Sequence, residues 1–410
     1  MKKRDCDLKK VNYDVIIVGG GPSGSTLASL IGGKVKTLLL DKAKFPRDKT
    51  CGDAVSGKTL SMLKELKLVS KIEKAKHKKI YGITFSSPNG TTTRIPIKKN
   101  ILGKNYGYVC KRIIFDDILF KNASKKCDAI QNFTVTDLVW ENGRVAGVKG
   151  ILKGKEKTFK GKIIVGADGA QSIVAQKLKV NTNPPEHVCI AMRAYYKNVK
   201  GLTDDIEIHF VDELIPGYFW IFPAANGEAN VGIGVVLSEV KKRNVDLKQV
   251  MFKILKENKL FKKRFENAVL TSEVKGWTLP FASYKRKIAG DSWILLGDAA
   301  SLVDPFSGEG MGNGTLSARI AAPVVIEAIQ KNNPAILKKY PQKLWQALGP
   351  EVDTSYKMQK LGRSKLLLNL VIGKVKKSEW VREQISNMLV ESESKKNFTS
   401  PLFYLKLLLA

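Results

Sequence analysis

The sequence has few cysteines, few histidines and no long apolar run. Its five cysteines, Cys6, Cys51, Cys110, Cys127 and Cys189, are scattered and form no CxxC pair, which argues against an iron–sulfur or zinc site within the chain. No stretch approaches the roughly 18 uninterrupted apolar residues of a membrane-spanning helix. The basic N-terminus lacks a small-residue cleavage site, so we predict no signal peptide and a cytoplasmic location.

Acidic residues are also scarce relative to basic ones. The chain has 70 lysines and arginines against 38 aspartates and glutamates, a net charge of +32. Such a surface attracts polyanions. No aromatic-basic nucleic-acid motif is present, so we expect no nucleic acid partner. An anionic membrane surface, an acidic protein partner and a solvated lysine-rich surface without a partner stay open.

A glycine-rich turn near the N-terminus predicts a dinucleotide-binding unit. The segment YDVIIVGGGPSGSTLASLIGGKVKTLLLDK has the order strand, turn, helix, strand, and Gly19, Gly21 and Gly24 form GxGxxG. These glycines permit a tight turn, a close approach of pyrophosphate and close helix packing, and the helix N-terminus faces the phosphates. Asp41 follows the second strand, where an acid accepts hydrogen bonds from ribose hydroxyls. Ser23 in the same turn is a further candidate for cofactor contact.

Two later segments each place an aspartate at the end of a predicted parallel strand. KGKIIVGADGAQSIVAQKL carries Asp168, and DSWILLGDAASLVDPFSGEGMGNG carries Asp298 and a glycine-rich loop. Ligands of doubly wound sheets lie at these strand ends. Asp298 could hydrogen-bond a ribityl hydroxyl, and the helix start at Gly310 and Met311 could face the pyrimidine end of a flavin. For Asp168, a helix cap explains the residue as well as a ligand role does.

Together these three motifs resemble the FAD-dependent para-hydroxybenzoate hydroxylase fold over residues 12–330. The resemblance implies FAD as the cofactor, with Asp298 on the ribityl chain. It also implies that Arg112, in CKRIIFDDILFKNA, lies beside FAD and that Val135, in NFTVTDLVW, makes a backbone contact to adenine. The aromatic hydroxylases of this group usually carry an arginine where this chain has Ala175, and often a histidine where it has Ser301. Both departures argue against a hydroxylase.

Three further segments resemble the geranylgeranyl reductases within this fold. They are FPRDKTCGDAVSGKTL, PGYFWIFP and DPFSGEGM. The second resembles the YxWxFP signature of that family, through Tyr218, Trp220, Phe222 and Pro223, and aromatics spaced two apart favour one face of a strand. The resemblance implies that these residues bind an isoprenoid chain in an apolar cavity. The archaeal members saturate the alkyl chains of ether lipids, and relatives in phototrophs reduce the geranylgeranyl chain of chlorophyll.

The resemblance leads us to expect a reductase that saturates isolated C=C bonds by hydride from flavin N5 plus a proton. An unpolarised alkene accepts hydride poorly, so protonation to a carbocation-like state precedes hydride capture in this hypothesis. The face of Trp220 could stabilise that cation by up to ~2 kcal/mol, or the aromatics could only shape the cavity. The resemblance places Cys51 and Gly52 near the flavin ring. Cys51 is the catalytic candidate, as proton donor, as a positioning group or as a packing residue.

The sequence leaves alternatives open for the electron donor and for the general class of activity. No second GxGxxG follows a strand, so the reductant is NAD(P)H bound without its own domain, or reduced ferredoxin, an often acidic partner that the positive charge would steer. A monooxygenase or halogenase of the same fold is the alternative enzyme. A quinone oxidoreductase is disfavoured by the missing cysteine-ligated cluster. From another class, the chain could bind lipid or FAD without turnover.

The predicted fold class is α/β, with a Rossmann-like FAD-binding lobe, a discontinuous antiparallel-sheet substrate lobe and a helical C-terminal segment. His209 alternates with apolar residues and could face the cavity, but a hydrogen-bonded sheet histidine is the preferred interpretation. The final stretch, PLFYLKLLLA, is too short to span a bilayer and could dip into a membrane surface or cap the core. The predicted ranges are 1–78, 105–178 and 286–330 for the FAD lobe, 79–104 and 179–285 for the substrate lobe, and 331–410 for the helices.

Overall fold

The computed structural model describes residues 13–390, which form a mixed α/β fold, and the predicted fold class is confirmed. The strands are β1 (Tyr13–Val18), β2 (Thr37–Leu40), β3 (Ala54–Val55), β4 (Lys78–Ile80), β5 (Gly82–Ser86), β6 (Thr92–Pro96), β7 (Gly107–Val109), β8 (Asp128–Ile130), β9 (Phe133–Glu141), β10 (Arg144–Leu152), β11 (Lys155–Gly166), β12 (Val188–Lys197), β13 (Asp205–His209), β14 (Gly217–Pro223), β15 (Glu228–Val236), β16 (Val269–Leu270), β17 (Lys275–Pro280) and β18 (Trp293–Leu295).

The helices cover the faces of the sheets and form most of the chain after residue 311. They are α1 (Pro22–Ile31), α2 (Gly57–Glu65), α3 (Val69–Lys74), α4 (Arg112–Ala123), α5 (Ile173–Lys177), α6 (Leu237–Arg243), α7 (Leu247–Glu257), α8 (Lys262–Phe265), α9 (Met311–Gln330), α10 (Lys339–Leu361), α11 (Lys365–Lys377) and α12 (Glu379–Val390). No helix between residues 13 and 390 combines the length and the apolar character needed to cross a bilayer.

A seven-stranded sheet forms the centre of the first core. Its order is β8-β2-β1-β11-β10-β9, and β18 pairs with β11. The strands β8, β2, β1, β11 and β18 run parallel, while β9 and β10 continue the sheet antiparallel. Because both faces of the parallel part are covered, β1 is a continuous apolar run instead of an alternating one. The carboxyl ends of β1, β11 and β18 therefore meet at one edge.

The second sheet has eight strands and is almost entirely antiparallel. Its order is β16-β12-β15-β14-β13-β5-β6, and β17 pairs with β12. A turn at residues 88–90 joins β5 and β6 into an antiparallel hairpin. On one face of β14, Phe219 and Ile221 pack in a core with Met251 of α7 and with Phe261. The opposite face of β14 lines the cavity described below.

The C-terminal helices belong to two different cores. In α10, Tyr340, Leu344 and Leu348 complete the core of the first sheet, whereas Val375 and Val381 in α11 and α12 pack with β6. Residues 331–390 are mostly helical, and PLFYLKLLLA lies outside the described residues. A third sheet, β3-β7-β4, was not predicted because its strands have only two or three residues.

Candidate active site: a glycine cradle that opens onto an aromatic wall

A continuous cavity of about 1160 Å³ lies between the two large sheets. This volume exceeds the ~300–1,000 Å³ of ordinary small-molecule sites. The predicted site residues that line it are Gly19, Gly21, Ser23, Asp41, Cys51, Gly52, Arg112, Val135, Asp298, Gly310, Met311, Tyr218, Trp220 and Phe222. Gly24 and Pro223 do not line it. Gly24 lies beneath the turn, and Pro223 faces away from Phe222 because successive strand residues point to opposite sides.

The phosphate-binding turn is built by close backbone contacts that only glycine allows. Gly19 has φ of +105°, and a Cβ atom on it would lie 2.3 Å from the carbonyl oxygen of Ala167. A Cβ on Gly24 would lie 1.9 Å from the carbonyl oxygen of Gly19. The helix α1 begins directly after the turn, with Pro22 in its first turn. The cradle therefore consists of backbone N–H groups at a helix N-terminus, the arrangement that binds phosphate.

The three aspartates at the strand ends have different partners. Asp41 accepts hydrogen bonds from the backbone N–H of Gly20 at 2.7 Å and of Ala43 at 2.8 Å. Asp168 accepts from Ser172 Oγ at 2.5 Å and from the Ile173 N–H at 2.8 Å, so it caps α5. Of the two interpretations of Asp168, the structure shows the helix cap.

Asp298 differs because its carboxylate faces the cavity without a donor. Within residues 13–390 it accepts no hydrogen bond and forms no ion pair. Burial raises the pKa of the Asp298 carboxyl. The carboxylate is half-buried and faces the cavity, so a ligand that supplies hydrogen-bond donors would stabilise it. The hydroxyl groups of a ribityl chain are suitable donors.

Ser23 joins three distant parts of the cradle. Cβ atoms on Gly297 and Gly314 would each lie 2.4 Å from Ser23 Oγ. Gly310 caps α9 beside Asp298, since its Cβ would lie 3.0 Å from Asp298 Oδ1. The turn, the β18 loop and the start of α9 thus pack around one hydroxyl.

Two arginines reach the cavity from the side of α4. Arg112 is buried and makes two bonds to Asp116, at 2.6 and 2.8 Å. Arg47 Nη1 bonds the same carboxylate at 2.7 Å. Both side chains line the cavity, and their shared partner fixes their positions beside the cradle. The predicted adenine-side residue Val135 lies on the lining as well.

The aromatic wall is the cavity face of β14. Trp220 lies flat on β15, where a Cβ on Gly232 would come within 2.3 Å of the indole ring. Tyr218 donates a hydrogen bond to the Ser307 carbonyl at 2.6 Å. A Cβ on Gly52 would lie 2.9 Å from the Phe222 ring. The wall therefore contacts both the loop around Cys51 and the loop that precedes α9.

The loop 45–53 brings a cation and a thiol to the cavity. Cys51 is half-buried, and its sulfur accepts the Asp53 N–H at 3.3 Å. The Lys49 ammonium lies 3.5 Å from the centre of the Trp277 ring, and burial lowers its pKa from 10.5 to about 7. Sequence reasoning missed Lys49 because only the fold shows that Trp277 covers it.

Other residues discussed from the sequence have structural roles. His209 bonds Ser86 Oγ at 2.8 Å and Glu207 Oε2 at 3.0 Å, on the sheet face away from the cavity. The preferred interpretation of a hydrogen-bonded sheet histidine is confirmed. Cys189 lines the cavity, but burial raises the pKa of its thiol to about 12, so the group behaves as a small apolar surface. Glu309 also lines the cavity but was not predicted from the sequence, and burial raises the pKa of its carboxyl.

These features fit FAD. The glycine cradle and the N-terminus of α1 suit the pyrophosphate, Asp41 lies at the end of β2 where a ribose would reach, and Asp298 lacks a donor. A model of the FAD binding domain family matches residues 12–347. A digeranylgeranylglycerophospholipid reductase of Methanosarcina acetivorans is 31% identical over 84% of this chain and 83% of its own length. The chain belongs to this reductase family.

Membership in the family makes the protein an FAD-dependent oxidoreductase. A second such reductase, from Thermoplasma acidophilum, is 30% identical over 80% of this chain and 82% of its own length. Two solved structures share the fold. A geranylgeranyl bacteriochlorophyll reductase-like protein of Thermoplasma acidophilum has a TM-score of 0.80 at 24% identity, covering 94% of this chain and 98% of its own. The flavin-dependent brominase Bmp2 has a TM-score of 0.79 at 19% identity, covering 97% and 98%.

Proposed function

We propose that this reductase saturates isolated C=C bonds of geranylgeranyl chains, and that the chains belong to membrane ether lipids of the archaeal type. The observation that carries the proposal is the continuity of the cavity. The glycine cradle and Asp298 lie at one part of it, and Tyr218, Trp220 and Phe222 form an apolar wall in another. A cavity of this kind suits a long hydrocarbon chain next to a flavin.

Each saturation adds two hydrogens to one double bond. When bound and reduced, FAD supplies a hydride, and the second hydrogen arrives as a proton. The proposed source of the two electrons used per double bond is NAD(P)H or reduced ferredoxin. The residues of the chain exclude water, hold the alkene and deliver the proton.

The aromatic wall has two roles in this proposal. Trp220 and Phe222 are buried and belong to one apolar cluster with Ala191 and Leu279, so they keep water from the hydrocarbon. The Trp220 face also attracts positive charge that develops on the alkene carbon when it is protonated. Cys51 lies on the same cavity and is the proposed proton donor.

The partners are part of the proposal. The net charge of +32 favours an anionic membrane surface, from which a lipid substrate would be taken up, and an acidic ferredoxin. If ferredoxin is the donor, the reduction rate falls steeply as salt rises, because screening removes the electrostatic steering. The rate with dithionite serves as the control and should change little. An equally flat response with ferredoxin would contradict this donor.

The test is mass spectrometry of a geranylgeranyl ether lipid after anaerobic incubation with the purified protein and dithionite. We expect mass gains in steps of two hydrogens. No gain, despite bound and reducible FAD, would contradict the proposal. A second incubation with air, NADPH and bromide would then test the monooxygenase and halogenase alternatives, whose product would carry oxygen or bromine.

A further inference from the structure

One polar side chain is buried in the middle of the aromatic wall. Asn230 lies on β15 in the apolar segment EANVGIGVV and is fully buried. It is paired directly with Phe222 on β14 and with Tyr195 on β12, so the three side chains share the cavity face of the sheet. Burial of an amide is unfavourable unless its hydrogen bonds are satisfied.

All the bonds of this amide join the wall to the loop that carries Cys51. Asn230 Oδ1 accepts the indole N–H of Trp220 at 2.9 Å. Asn230 Nδ2 donates to the carbonyl oxygen of Cys51 at 2.7 Å and to Asp53 Oδ2 at 2.8 Å. One side chain therefore fixes the rotation of the indole and the backbone of the loop together.

Asp53 is the second element of this connection. It is fully buried, and its φ of +68° lies in the left-handed region that non-glycine residues rarely adopt. Its carboxylate accepts the Tyr195 hydroxyl at 2.5 Å and the backbone N–H of Arg112 at 3.2 Å. The unusual loop conformation is thus held from β12, β15 and the start of α4.

The loop and the wall are also in direct contact. A Cβ atom on Gly52 would lie 2.9 Å from the Phe222 ring and 3.8 Å from Trp220 Nε1. Any displacement of the loop toward the sheet would press on these rings, and any displacement away would break both bonds donated by Asn230. The bonds therefore limit the separation of Cys51 from Trp220 in both directions.

We propose that Asn230 is a positioning residue that holds Cys51 and Trp220 at a fixed separation in the cavity. The inference rests on the proposed function for its catalytic consequence. The geometric part, a loop held by Asn230, does not depend on the identity of the substrate.

The experiment compares FAD-loaded protein with two variants. Asn230→Leu removes all three bonds and keeps the branched shape of the side chain, whereas Asn230→Asp keeps the acceptor for Trp220, loses the amide donor to the Cys51 carbonyl and places a second carboxyl beside Asp53. The matched control is Ser86→Ala, which removes the buried bond to His209 on the opposite face of the same sheet. For each protein we measure the alkylation rate of Cys51 by peptide mass spectrometry, the FAD content, and kcat and KM for the lipid.

We expect both Asn230 variants to retain FAD and to alkylate at Cys51 about fivefold faster or more, since a net hydrogen bond is worth roughly that factor. We also expect kcat to fall while KM changes by less than about twofold, as for a group that acts on geometry and not on ground-state binding. Ser86→Ala should match the wild type in both measurements.

Unchanged Cys51 alkylation in a folded Asn230 variant would overturn the proposal, as would a rise in KM with constant kcat. If Asn230→Leu does not fold, the near-isosteric Asn230→Asp decides. If the wild type reduces no alkene, the proposed function fails, and the alkylation rates still decide whether Asn230 holds the loop.

Discussion

The two sides of the cavity are constructed by different means. The cofactor cradle is made by backbone, with Gly19 and Gly24 in contact with neighbouring carbonyl groups. The aromatic wall is made by side chains, and Trp220 keeps its orientation through another side chain, Asn230. The difference predicts how each side responds to mutation. A clash with the backbone cannot be relieved by a change of rotamer, so a substitution in the cradle should have a large effect. A side chain can adopt another rotamer, so substitutions in the wall should have graded effects.

The largest effect is expected in the cradle. In Gly24→Ala the new methyl would lie 1.9 Å from the Gly19 carbonyl oxygen, so the turn and α1 must separate. We expect loss of FAD binding and a decrease in the free energy of unfolding of about 3 kcal/mol or more, at the upper end of overpacking effects. Absorbance at the flavin bands and thermal unfolding measure both. Gly373→Ala is the control, because a Cβ there meets nothing within 4 Å. A Gly24→Ala protein that binds FAD normally would refute the backbone interpretation.

The wall should respond in steps. Trp220→Phe retains an aromatic face, whereas Trp220→Leu retains only apolar volume. If the face stabilises a cationic transition state, kcat for Trp220→Leu falls about 30-fold, which corresponds to ~2 kcal/mol, and Trp220→Phe lies between it and the wild type. Single-turnover reduction of the lipid measures this difference. Trp140→Leu, at an exposed position, should have no effect. Equal rates for the two Trp220 variants would remove the cation–π contribution and leave a packing role.

Two aspartates sharpen the comparison within the cradle. Asp298→Asn should weaken FAD binding about tenfold or more, because a hydrogen bond to a charged acceptor is worth about 1.5–3 kcal/mol, without lowering the stability of the cofactor-free protein. Asp168→Asn should do the reverse, with about 1 kcal/mol of stability lost at the cap of α5. Titration with FAD and chemical denaturation separate the two properties. Equal losses of FAD affinity would show that Asp168 also acts as a ligand.

A stability effect of similar size, but dependent on pH, concerns Lys49, whose pKa is lowered to about 7 by burial. Between pH 7 and 10.5 the Lys49 amine is protonated in the unfolded chain and neutral in the folded chain. The buried charge therefore destabilises the folded protein fully below pH 7, and this destabilisation diminishes as pH rises. Lys49→Met should therefore stabilise the cofactor-free protein at pH 6 by about 1–2 kcal/mol, allowing for partial exposure, and by almost nothing near pH 10. Denaturation curves across this range measure the difference. A stability difference between Lys49→Met and the wild type that does not vary with pH would refute the lowered pKa of Lys49.

The sequence predicts the cradle well because its determinants are local. GxGxxG, the flanking strands and the acid at position 41 lie within one βαβ unit, and each rule concerns the backbone of its own segment. The wall was predicted as one strand face because its aromatics alternate. Asn230, Asp53 and Lys49 could not be found this way, since their partners are far along the chain. An asparagine within the apolar segment ANVGIGV indicates a buried amide that needs hydrogen-bond partners, but the sequence does not show which residues those partners are.

The packing around Ser23 bears on the order in which the protein can mature. The phosphate-binding turn is finished early in synthesis, yet its serine is enclosed by Gly297 and Gly314, which leave the ribosome much later. The N-terminal half alone lacks the walls of its own nucleotide site. We therefore expect the chain to retain FAD only after the start of α9 has been made, although the glycine turn is complete much earlier.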